Sequence, residues 1–258
     1  MNDIHPAAAR GFALGAETYA RGRPDYPADI ADWLASKLGL GPGSRALDLG
    51  AGTGKFTPYL KRTGAEVTVV EPVDAMRAEL TARNPDVRAL AGSATAIPLP
   101  DASVDAVVCA QSFHWFATRE ALVEIHRVLK PGGHLGLVWN IRDDSVDWVA
   151  ALAQIIAPYE SDTPRHASGA WRRLFPGDGF GPLSESRFPH GHTGPAEEVI
   201  LRRTLSISFV AALPEPERQK VEFRIRELIA ATPALSRPGD VTFPYETMAY
   251  SSARLPAP

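Results

Sequence analysis

The chain has 258 residues, of which 45% are hydrophobic and 22% charged, enough to bury one full core within the ordinary soluble range. Its 27 basic and 30 acidic side chains leave a formal net charge of −3, and no run of lysines or arginines forms a local footprint for nucleic acid. The N-terminus carries no apolar stretch of signal or membrane length, and the one cysteine, Cys109, sits in the apolar run Val107–Ala110, so the expectation is a cytoplasmic protein with no membrane partner and no internal disulfide.

In chain order, the first predicted element is a helix over Tyr26–Leu38, with Ile30, Trp33, Leu34 and Leu38 at helical spacing and Gly39 to close it. Strand and helix signals then alternate. Strands are expected at Ala46–Leu49, Val67–Val70, Val87–Ala91, Val104–Cys109 and His134–Trp139, with helices from about Lys55, from about Asp74 and over Arg119–Leu129. Such alternation implies a parallel sheet covered on both faces, and right-handed crossovers place the strand C-termini along one edge. Gly50, Glu71, Ser93 and Gln111 all fall at those ends. Beyond Trp139 the alternation stops: Val146–Ile156 and Glu215–Ile229 read as helices, and Leu183–Phe188 and Val241–Tyr250 as late strands.

The run from Ala46 to Phe56 reads as a buried strand, a turn with Gly50, Gly52 and Gly54, and a helix start, a geometry that lets main chain approach a ligand. A phosphate loop of the Walker type is excluded, because Leu49 replaces its first glycine and Phe56 its hydroxyl residue. The dinucleotide fingerprint fits weakly, since Thr53 alone separates the second and third glycines. Asp48 sits badly beside a pyrophosphate and suits a cofactor with positive charge, such as S-adenosylmethionine (SAM). Glu71 comes 21 positions after Gly50, close to the roughly 20-residue interval at which an acid meets a ribose diol.

Leu47 to Gly54, Glu71-Pro72 with Met76, Gly92-Ser93-Ala94 with Ile97-Pro98, and Val128 to Gly133 resemble the successive motifs of class I SAM-dependent methyltransferases. Tyr19, Arg23-Pro24, Tyr26-Pro27, Phe113 to Phe116, Val138-Trp139-Asn140, Arg142 and Pro244-Tyr245 with Thr247 are similar to a small-molecule branch of methyltransferase type 11 that includes trans-aconitate-type enzymes. The resemblance implies an α/β fold, a Rossmann-like doubly wound, mostly parallel sheet with an antiparallel edge strand. It implies one methyltransferase domain over 1–258: a helical N-terminal cover (1–43), a SAM-binding core (44–140), and lid helices with the last strands (141–258).

The same resemblance assigns Asp48 to the methionine-ammonium region together with main chain at Gly50, Ala51 and Gly52. Glu71 would take the ribose, Pro72 and Met76 would lie against adenine, and Ser93 with Ala94 would meet its edge. Relatives often carry Asp where Ser93 stands, which shifts that contact to main chain. Tyr19 would lie near the methyl group and Arg23 near the methionine carboxylate. Gln111 and Ser112 would line the transfer site.

His114 is the candidate general base, since its unperturbed pKa lies near neutrality; Phe113, Trp115 and Phe116 around it favour packing and hydrogen bonding instead. Methyl transfer from a sulfonium needs mainly orientation and desolvation, so a dedicated base is optional. His190 and His192 sit in a Gly- and Pro-rich stretch without cysteine, so no metal site is expected. The expected acceptor is a small organic molecule methylated at oxygen, nitrogen or carbon, with a carboxylate suggested by the resemblance and by Arg142, Arg172 and Arg173, which read equally well as ordinary surface charges. The alternatives are a SAM-binding regulatory module without turnover and a nicotinamide-dependent oxidoreductase. A nucleic-acid enzyme is disfavoured, because Ala110-Gln111-Ser112-Phe113 is not the Asn/Asp-Pro-Pro-aromatic segment used on a flipped base. The oligomeric state is left at monomer or homodimer.

Overall fold

The computed structural model describes residues 23–160 and 166–256. Seven strands form one sheet in the order β3-β2-β1-β4-β5-β7-β6. These are β1 (Arg45–Leu49), β2 (Glu66–Val70), β3 (Arg88–Leu90), β4 (Val104–Ala110), β5 (Leu129–Arg142), β6 (Ser184–Gly194) and β7 (Val241–Ala253). Strands β1 to β5 are parallel, β7 runs antiparallel to β5, and β6 runs antiparallel to β7. The expected antiparallel pair therefore closes that side of the sheet, with the last strand lying inside the penultimate one.

Alternate residues of the central strands point to opposite faces, and both faces are buried, which is why these strands read as continuous apolar runs. Leu47, Val107, Cys109, Leu135 and Leu137 pack with Leu122 and Ile125 of the helix Arg119–Val128. Ala46, Ala106, Val108 and Val138 pack on the other side with Ile30 and Leu34 of the helix Ile30–Leu38 and Leu60 of the helix Thr57–Arg62. Thr118 caps the helix Arg119–Val128, its hydroxyl accepting from the N–H of Ala121 at 3.2 Å. A third apolar cluster joins the helices Asp147–Ile156 and Glu215–Ala231 to Val199, Ile200 and the start of β7 at Val241, Phe243 and Tyr245.

Several boundaries differ from the sequence expectation for local reasons. The first helix begins at Ile30 and not at Tyr26, because Tyr26 precedes Pro27 and a residue before proline is pushed out of the α region. Strand β5 extends to Arg142 because β7 continues the ladder, pairing Thr247, Glu246 and Tyr245 with Asn140, Ile141 and Arg142. Strand β6 runs past Pro189 to Gly194, since an edge strand tolerates a missing donor. The π-helical turn Glu197–Arg202 and the short helices Arg203–Leu205 and Ser208–Ala211 had no counterpart in the sequence reading. Among the described residues no helix is long and apolar enough to cross a membrane.

Candidate active site

The chain leaves β1 for β2 and β3 on one side of the sheet and returns as β4 on the other, so the C-terminal ends of β1 and β4 flank a topological switch point. A cavity of about 660 Å³ opens there, and Gly50, Ala51, Gly52, Glu71, Pro72, Met76, Ser93, Ala94, Gln111 and Ser112 all line it. The sequence had placed Gly50, Glu71, Ser93 and Gln111 at one edge of the sheet, and the fold brings them together with the others. Arg23 lines the cavity as well; Tyr19 lies outside the described residues.

The glycine turn departs from β1 where the N–H of Gly50 still donates to the carbonyl of Val70 at 2.8 Å. Gly50 has φ of +68°, and a Cβ placed on it would stand 2.9 Å from the Cβ of Ser112. Only glycine suits such a position. Ser112 is fixed in turn, its hydroxyl donating to the carbonyl of Leu49 at 2.8 Å. Gln111, at the end of β4, also has positive φ (+56°), and its side-chain amide donates to the carbonyl of Asn140 at 3.2 Å. A bulky residue held in this region is strained and persists only where its surroundings fix it.

Both carboxylate oxygens of Glu71 accept main-chain bonds, from Gly52 N–H at 2.8 Å and from Val73 N–H at 2.9 Å. Burial raises its pKa, and these two bonds oppose the rise. Glu71 thus clamps the glycine turn to the end of β2 while facing the cavity. Asp48 does not line the cavity. It is fully buried behind the turn, where one oxygen accepts from the Thr57 hydroxyl at 2.8 Å and the other has no hydrogen-bond partner among the described residues. Burial pushes its pKa up to about 7; the Thr57 bond lowers it, and the charge of Glu71 raises it further.

The segment before the first helix is strapped over the cavity. Lys55 donates to the carbonyl of Arg23 and, at 2.9 Å, to the Asp25 carboxylate, and Asn140 donates to the Asp25 carbonyl at 2.8 Å. A second cavity of about 210 Å³ adjoins the first, and the two share Arg23, Gln111, Trp115, Asn140 and Arg203.

A sequence-family profile described as a methyltransferase domain matches residues 47–137. An uncharacterized methyltransferase-like protein of Schizosaccharomyces pombe, C25B8.10, is 43% identical over 95% of this chain and 96% of its own. An uncharacterized methyltransferase of Mycobacterium bovis, Mb3374, is 38% identical over 92% of both chains. The solved structure of a type II methyltransferase from Anaeromyxobacter dehalogenans has the same fold, with a TM-score of 0.68 and 23% identity over 92% of this chain and 99% of that one. The chain belongs to the class I SAM-dependent methyltransferases.

In this methyltransferase His114 faces the smaller cavity and not the larger. Its Nδ1 lies 3.0 Å from Nε1 of Trp139. An indole nitrogen can only donate, so Nδ1 is an acceptor, and on a neutral ring Nε2 then carries the proton. Burial, with the charges of His166 and Arg23, lowers the pKa to about 3. With Nδ1 engaged by Trp139, this geometry favours the packing and hydrogen-bonding reading of His114 over the general-base one.

The three arginines of the carboxylate reading separate. Arg142 lines the smaller cavity. Arg172 donates to the Tyr250 hydroxyl at 2.6 Å and pairs with Glu185 at 3.0 Å, away from both cavities, and Arg173 is exposed and lines neither. The sequence reading did not single out Arg203, which borders both cavities of the methyltransferase. The pair Arg202-Arg203 after the apolar run Val199–Leu201 was the available signal, with Arg202 exposed and Arg203 buried.

Proposed function

We propose that the methyltransferase transfers the methyl group of SAM to a small organic acid, esterifying a carboxylate oxygen. In this reading the larger cavity holds the cofactor. The open backbone at Gly50 to Gly52 meets its methionine end beside Arg23, with Asp48 acting from behind the turn. Glu71 accepts from the ribose with lone pairs left over from its two main-chain bonds, and Pro72, Met76, Ser93 and Ala94 face the adenine. Gln111 and Ser112 stand where cofactor and acceptor would meet.

Bound SAM supplies a methyl on a cationic sulfur, and a carboxylate is already ionised at neutral pH, so its oxygen takes the methyl carbon while the sulfur keeps the bonding pair and no proton has to leave. That suits a site whose histidine is a donor. The chain's contribution is then to align the acceptor and exclude water. The observation that carries the reading is the smaller cavity, joined to the larger at Gln111 and Trp115 and bordered by Arg142. At about 210 Å³ it lies below the roughly 300–1,000 Å³ of drug-sized ligand sites, which points to a small acceptor.

The test is incubation with methyl-labelled SAM and parallel panels of small carboxylates, phenols and amines. The expected product is a base-labile methyl ester from the carboxylate panel. Label transferred only to phenols or amines would remove the carboxylate proposal and leave the methyltransferase assignment in place.

A further inference from the structure

Arg203 is only 9% exposed, yet its Nε and Nη1 have no hydrogen-bond partner among the described residues. A buried guanidinium is normally engaged by a carboxylate or by carbonyls, because its desolvation is otherwise uncompensated. Its backbone is not free to move it into solvent. Arg203 directly follows the π-helical turn Glu197–Arg202, whose Val199, Ile200 and Leu201 are buried against the helices Asp147–Ile156 and Glu215–Ala231. Wide turns of this kind recur at functional sites.

Arg142 borders the same small cavity from the end of β5. Burial and then the neighbouring charge of Arg203 hold its pKa below the usual arginine range, which places the two guanidinium groups within electrostatic reach of each other. Glu160 also borders the cavity, so among the described residues three arginines, with Arg23, and one carboxylate line it. The protonated Nε2 of His114 adds a neutral donor. The remaining walls include Trp115, Trp139, Ile156, Ile207 and Phe209.

Resting on the reading of this site as the acceptor pocket, we propose that Arg203 and Arg142 clamp a single carboxylate, and that the acceptor is a monocarboxylic acid whose remainder is apolar and packs against Trp115, Trp139 and Phe209. A planar, forked guanidinium matches a carboxylate through paired N–H donors, and an anion between the two cations relieves their repulsion and meets the unpartnered donors of Arg203. With Arg23 assigned to the methionine end of the cofactor, the walls formed by Trp115, Trp139, Ile207 and Phe209 offer a second carboxylate no charged partner, so a monocarboxylate is favoured over a polycarboxylate.

Tryptophan fluorescence reads the site directly, since two of its walls are indoles. The protein is first saturated with S-adenosylhomocysteine, with binding followed by calorimetry, and then titrated with acetate, succinate, benzoate, phenylacetate and the amides of the last two. Benzoate or phenylacetate is expected to bind at least tenfold more tightly than its own amide and than succinate. Arg203→Met is expected to abolish the preference for carboxylate over amide while leaving the circular dichroism spectrum and thermal midpoint intact, because its Nε and Nη1 have no partner among the described residues; Arg142→Met, measured alongside, is expected to weaken the same preference.

Absence of heat with S-adenosylhomocysteine would fail the cofactor reading itself. A protein that binds it but takes carboxylate and amide alike, binds none of the four acids, or keeps the preference in both variants, would overturn the clamp alone. Tighter binding of succinate than of either aromatic acid would overturn the apolar body. If Arg203→Met does not fold, the clamp is judged on Arg142→Met and Arg203→Gln.

Discussion

Asp48 has one oxygen bonded to Thr57 and the other without a partner among the described residues, in a site from which water is excluded. Its pKa is displaced from the ordinary 3.8 to about 7, first by burial. Below about pH 4 the residue is protonated in folded and unfolded chains alike. Between about pH 4 and 7 the unfolded chain gives up this proton and the folded chain keeps it, so the contribution present at low pH is lost as pH rises through the folded pKa. Asp48→Asn, which keeps an acceptor for Thr57 and cannot ionise, is expected to match the parent near pH 4 and to exceed it in urea midpoint at pH 8. Parallel stability curves for the two proteins would show that the buried acid does not titrate in this window. The aspartate and its position before the first glycine were legible in sequence. Its seclusion from the cavity was not, because which side of a turn a side chain occupies depends on the helix that packs behind it.

At the scale of elements, the strands and their alternation with helices were readable because buried parallel strands are apolar on both faces, as Val107 and Val108 are on opposite sides of β4. Two of the misplaced boundaries lie where a proline acts differently in context, before the helix at Tyr26 and within the edge strand at Pro189, and a third where β7 prolongs β5 to Arg142. Glu71 shows how two elements become one site: its carboxylate joins the end of β2 to the glycine turn through Gly52 and to the following helix through Val73. Glu71→Gln keeps the shape but loses the charge of an acceptor whose bonds are worth about 1.5–3 kcal/mol each. The dissociation constant for S-adenosylhomocysteine is expected to rise by roughly tenfold to a hundredfold, read by calorimetry. Unchanged affinity in a folded variant would contradict the assignment of Glu71 to the cofactor cavity.

For the whole molecule, three apolar clusters are tied together by one sheet, and the cavities lie where the N-terminal strap, the strand ends and the helices after β5 converge. A ligand bound there stabilises all of these contacts at once. At a hundredfold excess over its dissociation constant, S-adenosylhomocysteine adds about 2.7 kcal/mol to the folded state. For a chain of this size that is a rise of roughly 5–10 °C in thermal midpoint. NADH is expected to produce none, and a shift with NADH in place of S-adenosylhomocysteine would favour the oxidoreductase alternative.

The sequence by itself determined the sheet, the glycine turn and the acidic residue after the second strand, because these depend on local periodicity and on spacing along the chain. Only the tertiary structure decided that His114 is a donor, that Arg172 is bound up with Tyr250 and Glu185, and that Arg203 stands at the junction of two cavities. Each of those outcomes depends on a partner far away in sequence, Trp139 for His114 and Tyr250 for Arg172, or, for Arg203, on the lack of one among the described residues. Periodicity carries no information about such meetings. They are fixed when the helices after β5 pack against the C-terminal ends of the strands.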